Sequence, residues 1–272
     1  MPTGADDDIG ARLYSGLLIS LRLTIMLLSQ STLFRSALLS VLLLCSGALS
    51  AATDCASEPL QARYSISTRH GDHTTTRALE LLRYQGLVAH HFADRHITEV
   101  WERNATKQAR VTRHFDTAQR GIEYASNEIG GAENDDDWSS KVQLISNSRL
   151  SSMTLTGHQG SGCKRIEHYH QQQGERSVSL VWRPEQRLIQ SLTIEQDDHR
   201  EHWQLEQQHR SLSDIAAFFK QRMNYQTTDY ADIGDNESDP FLLKMIRLGF
   251  IKGGASGMYD AEGHALTGGH QH

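Results

Sequence analysis

The sequence predicts an α+β fold, in which one curved antiparallel β-sheet, a half-barrel-like meander, is covered by one or two helices. Short segments of alternating apolar and polar residues follow one another over 61–125 and again over 164–207; this pattern is typical of strands with one buried face. Turn-forming residues separate these segments. A helical spacing of three to four residues occurs near 138–150 and 211–223, outside the strand segments.

Length and charge exclude some classes of protein. The chain has 272 residues, of which 38% are hydrophobic and 22% are charged, so it can bury a sizeable core. Its net charge is -6, from 27 basic and 33 acidic residues. Nucleic-acid binding usually needs a basic surface, so we do not expect nucleic acid as a partner.

Residues 1–52 have the pattern of a signal peptide. Arg35 precedes an apolar run that ends in the small residues Ala48, Ser50 and Ala52. A basic residue, an apolar stretch and small side chains at a cleavage site are typical of secretory signals. We therefore expect cleavage near Thr53 and a periplasmic mature protein.

The segment before Arg35 is longer than an ordinary signal peptide needs. Starting at Met26 would give a conventional length, so we expect the true start to lie downstream of Met1. The alternative is an uncleaved segment that anchors the protein to the inner membrane, because about 20 apolar residues can span a bilayer. The sequence after residue 52 contains no comparable apolar run, so no membrane span is expected in the mature chain.

Cysteine usage agrees with export. Cys45 lies inside the predicted signal, which leaves Cys55 and Cys163. Two cysteines in an exported protein can form a disulfide, and closing a loop of about 100 residues stabilises a fold by about 4–5 kcal/mol in the chain-entropy picture. The alternative is two unpaired thiols.

Residues 53–223 are predicted to form the β-rich domain. Within it, Ser177–Trp182 and Arg187–Ile194 are separated by a short turn that contains Pro184, which indicates an antiparallel hairpin. Trp138, Val142 and Ile145 recur at near-helical spacing after a run of aspartates, which predicts the helix near 138–150.

The second helix of this domain, 211–223, is predicted from one apolar face. Leu212, Ile215, Phe219 and Met223 recur at spacings of three and four residues. Serine at position 211 or 213 can cap its start.

Residues 224–272 differ in composition. An acidic segment leads to Asp239 and Pro240, an N-cap followed by proline at the first helical position, which predicts a short helix over 240–248. Beyond Gly253 the tail is rich in glycine and histidine, and we expect it to be flexible.

The hairpin motif Trp182-Arg-Pro184-Glu-Gln-Arg-Leu188, set in this meander, resembles periplasmic half-barrel proteins of the lipoprotein-carrier type. The resemblance covers about residues 61–207. It implies a curved antiparallel sheet covered by helices, whose concave face holds an acyl chain or a partner's segment. It transfers no functional residue to a numbered position.

Histidine and the acidic run supply candidate metal ligands. The chain has 15 histidines, and imidazole binds metals. His168 and His170 would share one face of a strand, a spacing that can hold a metal ion. The alternative is a polar strand face on which histidines happen to occur.

The acidic run offers a second metal hypothesis. Its candidate ligands are Asp232, Asp235, Glu237 and Asp239. The last three place oxygens at alternate positions, as in the first half of a calcium loop, but Pro240 stands where glycine is expected. The alternative is a solvated linker with a helix cap. Apart from a divalent metal, the sequence indicates no cofactor.

No hydrolase, Walker or dinucleotide motif occurs, so no catalytic residue is assigned. Three hypotheses for function follow. The first is a non-enzymatic envelope protein that binds an apolar ligand, a lipid or an envelope partner on the curved sheet. The second is a metal-binding protein or metal-dependent envelope enzyme. The third is an assembly factor that docks through residues 224–272.

Overall fold

The computed structural model of the protein describes residues 55, 58–125, 128, 134–236 and 238–249. The predicted signal peptide and the glycine- and histidine-rich tail lie outside these residues. The described strands form one curved, open sheet with helices, so the predicted α+β class and the curved antiparallel sheet are confirmed.

The sheet has twelve strands within the described residues. They are β1 Leu60–His70, β2 His73–Tyr84, β3 Leu87–Phe92, β4 Ile97–Arg103, β5 Ala109–Phe115, β6 Arg120–Tyr124, β7 Thr154–Gln159, β8 Ile166–Gln173, β9 Arg176–Arg183, β10 Leu188–Gln196, β11 His199–His209 and β12 Gln226–Asp229. Their spatial order is β12-β6-β5-β4-β3-β2-β1-β11-β10-β9-β8-β7. Two meanders, β1–β6 and β7–β11, are therefore joined where β1 pairs with β11. All neighbours are antiparallel except β12 and β6, which are parallel.

Four α-helices lie in the described part of the chain. They are α1 Asp135–Gln143, α2 Asn147–Ser152, α3 Leu212–Met223 and α4 Pro240–Arg247. The segment 138–150, predicted as one helix, is instead divided between α1 and α2. Leu144 adopts the left-handed conformation (φ 64°) and ends α1, and the Ser146 side chain caps α2 by accepting from the Arg149 amide. Among the residues described, no helix combines the length and apolar character needed to cross a bilayer.

The two faces of the sheet bury different cores. Along each strand alternate residues point to opposite faces. The larger apolar cluster lies on one face, here called the core face, and includes Tyr64, Leu81, Trp101, Trp182 and Trp203. Helices α1 and α4 pack there, through Val142 and through Leu242 and Met245.

The opposite face, here called the α3 face, has a smaller cluster. Leu82 and Ala89 of the sheet contact Ile215 and Phe219 of α3. The helical periodicity that places Ile215 and Phe219 on one side of α3 thus determines which side contacts the sheet.

A disulfide joins Cys55 to Cys163, with the two Cα atoms 5.4 Å apart. The predicted pairing is confirmed. It fastens the chain just before β1 to the short 3-10 turn Gly162–Lys164 between β7 and β8, so the start of one meander is tied to the start of the other.

Candidate functional site

A row of apolar side chains crosses the core face from β8 to β1. The strand register pairs Tyr169 with Leu180, Leu180 with Leu192, Leu192 with Trp203 and Trp203 with Ile66. Directly paired residues of adjacent strands point to the same face, so this row is continuous.

Part of this row is not fully covered. Leu180, Trp203 and Ile66 are 1%, 3% and 1% exposed, respectively. The half-buried apolar residues on β8, β10 and β11, here called the apolar strip, are Tyr169, Leu192, Ile194 and Leu205. The side chains of the strip lie on the core face but remain partly accessible to solvent.

Charged groups lie at one end of the apolar strip. Arg77 Nη2 is 3.8 Å from Glu201 Oε2, and both side chains are largely buried. Trp203 Nε1 donates to Glu201 Oε1 at 2.6 Å. The carboxylate of Glu201 is therefore compensated where it meets the strip.

The other end of the apolar strip is organised in the same way. Arg165 Nη2 donates to Glu167 Oε1 at 2.6 Å, and Tyr169 donates its hydroxyl proton to Glu167 Oε2 at 2.8 Å. Burial, followed by the bond to Glu167, raises the pKa of Tyr169 to about 12. The strip is thus apolar in its middle and polar at both ends.

Helix α1 covers the neighbouring strands β3 and β4. Lys141 Nζ lies 4.2 Å from the centre of the Trp101 ring, and His90 Nε2 lies 2.8 Å from the Lys141 carbonyl oxygen. Arg103 also donates to Asp135 at 2.7 Å. Polar contacts therefore hold α1 over this half of the core face.

A buried ion pair lies under this helix. Arg113 Nη2 donates to Glu99 Oε1 at 2.7 Å. Burial opposes ionisation of Glu99, but the Arg113 guanidinium outweighs it, and the pKa of Glu99 is lowered. The pKa of His90 is lowered by burial, so the imidazole is neutral at neutral pH.

Helix α4 covers β5 and β6. Phe241 packs edge-on against Phe115, with the ring centres 5.4 Å apart, and the Arg120 guanidinium lies 4.8 Å from the centre of the Phe241 ring. Arg120 also pairs with Asp239 at 2.9 Å. The apolar strip, on β8, β10 and β11, lies outside the strands that α1 and α4 contact in this way.

A polar network on the α3 face surrounds Asp116. Its Oδ2 accepts from Arg222 Nη2 at 3.1 Å and from Thr98 Oγ1 at 2.8 Å. Tyr225 donates to Oδ1 at 3.3 Å. Arg222 Nε donates to Thr98 Oγ1 at 2.8 Å, so the network connects α3 directly to β4 and to the end of β5.

The network contains the residue types of a nucleophilic triad but not its geometry. His91 Nδ1 lies 2.9 Å from Thr98 Oγ1 and 3.6 Å from Asp116 Oδ2. In a triad the hydroxyl and the carboxylate face different ring nitrogens, whereas here both face the same one. The arrangement positions α3 and provides no proton relay.

Two histidines line this network, of which His91 is half-buried and His114 is buried. Burial, followed by the charge of Arg222, lowers the pKa of His91. Burial also lowers the pKa of His114 to about 4, and its Nδ1 has no hydrogen-bond partner among the described residues. Both imidazoles are neutral at neutral pH.

The structure places His168 and His170 side by side on the α3 face of β8. His168 Nε2 is 3.5 Å from Gln159 Nε2, and His170 Nδ1 is 3.3 Å from Ser179 Oγ. Within the described ranges, no three His, Cys, Asp or Glu side chains come together in a way that could hold a metal ion. The two histidines are therefore adjacent but have no third ligand of these types in that part of the chain.

The acidic candidates are only partly described. Asp232 is exposed, whereas Glu237 and the side chain of Asp235 lie outside the description. Asp239 caps α4 by accepting from the Phe241 amide at 2.8 Å, and the bond from Arg120 lowers its pKa. The oxygens of Asp239 thus hold a helix cap and an ion pair.

A polar cavity of about 280 Å³ opens on the α3 face between β1, β2, β11 and the start of α3. Its lining residues are Gln61, Arg63, Glu80, Gln207, His209, Ser211 and Asp214. Gln61 donates to Glu80 at 3.1 Å, and Arg63 pairs with Glu206 at 3.7 Å. Glu80 and Arg63 thus each have a polar partner, Glu80 within the cavity lining and Arg63 beside it.

Sequence reasoning missed the network around Asp116. One signal for it exists, because Arg222 lies three residues after Phe219 on the apolar side of α3. A charged residue at such a position needs a buried partner. The sequence near Asp116 offers no matching signal for the partner.

Comparison with known proteins gives only weak matches. No family model matches the chain, and no curated protein matches it. Among solved structures, PNGF-II is similar at 6% identity with a TM-score of 0.35, over 63% of this chain and 32% of that protein. The chain therefore spans about a third of PNGF-II.

Two other solved structures are similar over most of their own length. A DUF1329 family protein from Desulfovibrio piger matches at 7% identity and a TM-score of 0.31, over 57% of this chain and 87% of that one. A putative outer membrane lipoprotein-sorting protein domain from Vibrio parahaemolyticus matches at 6% identity and a TM-score of 0.30, over 60% and 91%. The resemblance to the lipoprotein-sorting domain is weak and is one of architecture alone.

Proposed function

We propose that this protein is exported to the bacterial cell envelope and binds an apolar ligand, or the apolar segment of an envelope partner, along the apolar strip. The observation that supports it is the accessibility of Leu192, Ile194 and Leu205 on the same face as the main core. Accessible apolar side chains that adjoin one another favour burial by a ligand. The compensated charges at both ends orient the occupant along the strip.

The disulfide supports the location. Disulfides persist in oxidising compartments and are rare in the bacterial cytosol, and Cys55 and Cys163 are bonded. Together with the signal-like pattern of residues 1–52, this favours a periplasmic protein.

Cell fractionation with N-terminal sequencing tests the location. We expect the protein in the periplasmic fraction, beginning near Thr53, with Cys55 and Cys163 resistant to thiol alkylation until a reductant is added. Recovery of the full-length chain from the cytosol with both thiols alkylated at once would overturn this part of the proposal.

A binding experiment tests the ligand. The purified protein is titrated with a fluorescent acyl-chain probe, and Leu192→Gln with Ile194→Gln is compared with Leu212→Gln. Leu212 is an exposed leucine at the start of α3, on the opposite face of the sheet (58% exposed). We expect the double variant to weaken probe binding at least tenfold and the control variant to leave it unchanged. No binding by the unaltered protein, or equal loss in the control, would contradict the proposal.

A second candidate function is divalent-metal binding by His168 and His170, supported by their position on one face of β8. Titration with zinc, followed by the thermal unfolding midpoint, tests it. We expect zinc to raise the unfolding midpoint and His168→Gln to abolish this rise. His73 is an exposed histidine on β2, and His73→Gln should leave the rise unchanged. An unfolding midpoint that zinc does not change would remove this candidate.

A further inference from the structure

Four arginines converge where β1 begins, β2 ends and β9 turns into β10. This cluster, here called the basic end, consists of Arg83, Arg183, Arg187 and Arg210. Arg83 Nη2 donates to the Gln186 carbonyl oxygen at 2.7 Å, and Arg183 Nε donates to Gln190 Oε1 at 2.9 Å.

The basic end is built onto the disulfide. Arg210 Nη2 donates to the Cys55 carbonyl oxygen at 2.5 Å, and Gln186 Nε2 donates to the Cys163 carbonyl oxygen at 3.2 Å. The crosslink thus supports the segments that position Arg83 and Arg210, so the cluster belongs to an ordered part of the fold.

Arg83 is buried without a carboxylate partner. It is 2% exposed, and it takes part in none of the ion pairs found within the described ranges. Its Nε has no hydrogen-bond partner there. A buried guanidinium is ordinarily paired with an anion, because removal from water is costly for a charge.

Other positive charges lie near Arg83. Burial first, and then repulsion by Arg187, lowers the pKa of Arg83 to about 10, so it remains charged at neutral pH. Tyr64, and then Glu58, opposes this repulsion, and the Glu58 Oε2 accepts from the Gly86 amide at 3.2 Å. Arg83 therefore has no carboxylate in an ion pair with it among the described residues.

A second buried donor lies beside Arg83 and Arg183. Tyr64 is 0% exposed, and burial raises its pKa despite the charges of both arginines. Its hydroxyl, beside the backbone of Ile189, has no acceptor for its proton within the described residues. A bound anion would accept from both this hydroxyl and the guanidinium of Arg83.

We propose that the basic end is a binding site for a phosphate group, held by Arg83 and Arg183, with Arg187 at its exposed rim and the Tyr64 hydroxyl as an uncharged donor. The guanidinium fork matches phosphate oxygens bidentately. Phosphate fits better than carboxylate because several positive charges lie near Arg83 and Tyr64 and phosphate has the larger negative charge at neutral pH.

The site adjoins the apolar strip. Tyr64 is paired with Leu205 across β1 and β11 and so shares the core face with the strip. A phosphate-bearing amphiphile would therefore place its headgroup at the basic end and its chain along the strip. This assignment of the phosphate to a lipid headgroup rests on the proposed function, whereas binding of free phosphate does not.

Calorimetric titration at low ionic strength with inorganic phosphate, decyl phosphate and decanol separates the two proposals. We expect decyl phosphate to bind at least tenfold more tightly than decanol, and Arg183→Gln to remove this advantage while decanol binding is unchanged. Arg69→Gln, an exposed arginine at the far end of β1, is the matched control and should change neither affinity. Arg187→Gln at the exposed rim should give a smaller loss, and circular dichroism checks that each variant is folded.

Each pattern of results has one meaning. Equal affinity for decyl phosphate and decanol, with no binding of inorganic phosphate, would overturn the phosphate site and leave the proposed function standing. In a second pattern, inorganic phosphate binds saturably, Arg183→Gln abolishes that binding, and decanol does not bind. This result would support the site with free phosphate as its ligand and overturn the apolar-ligand proposal. If none of the three binds, or if Arg69→Gln weakens binding as much as Arg183→Gln, the phosphate site is wrong.

Discussion

The two faces of the sheet are stabilised by different means. On the core face, aromatic and aliphatic side chains from both meanders form one large cluster. On the α3 face, the buried apolar contact of the helix comprises Leu82, Ala89, Ile215 and Phe219. Tyr84, Leu87, Val100 and Phe218 pack around this contact, and the polar network around Asp116 and Arg222 also attaches α3.

This difference shows how a helix with a small buried apolar contact is held in one position on the sheet. Apolar burial is non-directional, so the apolar contact alone would permit α3 to shift along the sheet. Hydrogen bonds from Arg222 to Thr98 and Asp116 are directional and require one position of the helix. The core face buries many more apolar side chains, so its overall stability depends less on such bonds.

The largest effect is expected from breaking the network. Arg222→Met should lower the free energy of unfolding by about 3–5 kcal/mol, because the largely buried carboxylate of Asp116 loses its guanidinium partner. Urea denaturation measures it, with Arg69→Met as the exposed control. The double variant Arg222→Met with Asp116→Leu should recover most of the loss. A loss below about 1 kcal/mol in the single variant would mean that the apolar contact alone holds α3.

Truncation of two adjacent leucines allows the packing of the two faces to be compared directly. Leu81 and Leu82 are both 0% exposed, and they point to the core face and the α3 face, respectively. Leu81→Ala should cost about 3 kcal/mol, and Leu82→Ala about 2 kcal/mol, because a single helix can relax into a cavity more readily than a large core. Denaturation of both variants tests this, and a larger cost for Leu82→Ala would show that the α3 face is the more tightly packed.

Acid should weaken the α3 face through His114. The pKa of His114 is about 4 in the folded protein and about 6.5 in the unfolded protein. The free energy of unfolding is therefore undiminished by His114 above pH 6.5. It falls as the pH is lowered towards 4, because the unfolded state takes up the proton first. At pH 5 the loss is about 2 kcal/mol. Unfolding free energies at pH 7 and pH 5 measure it. His114→Gln should reduce the difference between them, whereas the exposed His73→Gln should not, and an equal difference in all three proteins would contradict the assignment.

The smallest effect concerns the start of α3. Ser211 Oγ accepts from the Asp214 amide at 3.4 Å, and Ser211→Ala should cost about 1 kcal/mol through loss of the cap. Ser213→Ala, two residues further on, should cost less than about 0.5 kcal/mol. Thermal unfolding of the two variants distinguishes them, and equal midpoints would show that the cap contributes nothing to holding this helix.

Local patterns predicted part of this structure. The alternation in Leu60–Ile66 reflects a period of two, which depends only on adjacent residues. The division of 138–150 was not predicted, because the apolar spacing continues through Leu144 while its backbone turns left-handed. Spacing reports which side chains are apolar and gives no information about one residue's φ angle.

The candidate sites depended more on tertiary structure. Asp239 belongs to a run with calcium-like spacing, but the fold brings Arg120 to it from β6. Arg83 is one arginine among many in the sequence, and its burial beside Arg183 follows from how β2 and the β9–β10 turn approach each other. Neither contact is visible in the residues adjacent to these positions.

The sequence by itself determined the strand alternation and the sheet-dominated class, because both depend on local periodicity. It also predicted the pairing of Cys55 with Cys163, the two cysteines outside the predicted signal peptide, which the structure confirms. Only the tertiary structure decided that β1 pairs with β11 and that Thr98, Asp116 and Arg222 meet on one face. The physical reason is that burial and charge pairing are set by the order of the strands in space. That order brings together residues more than a hundred positions apart, such as Thr98 and Arg222 (124 positions).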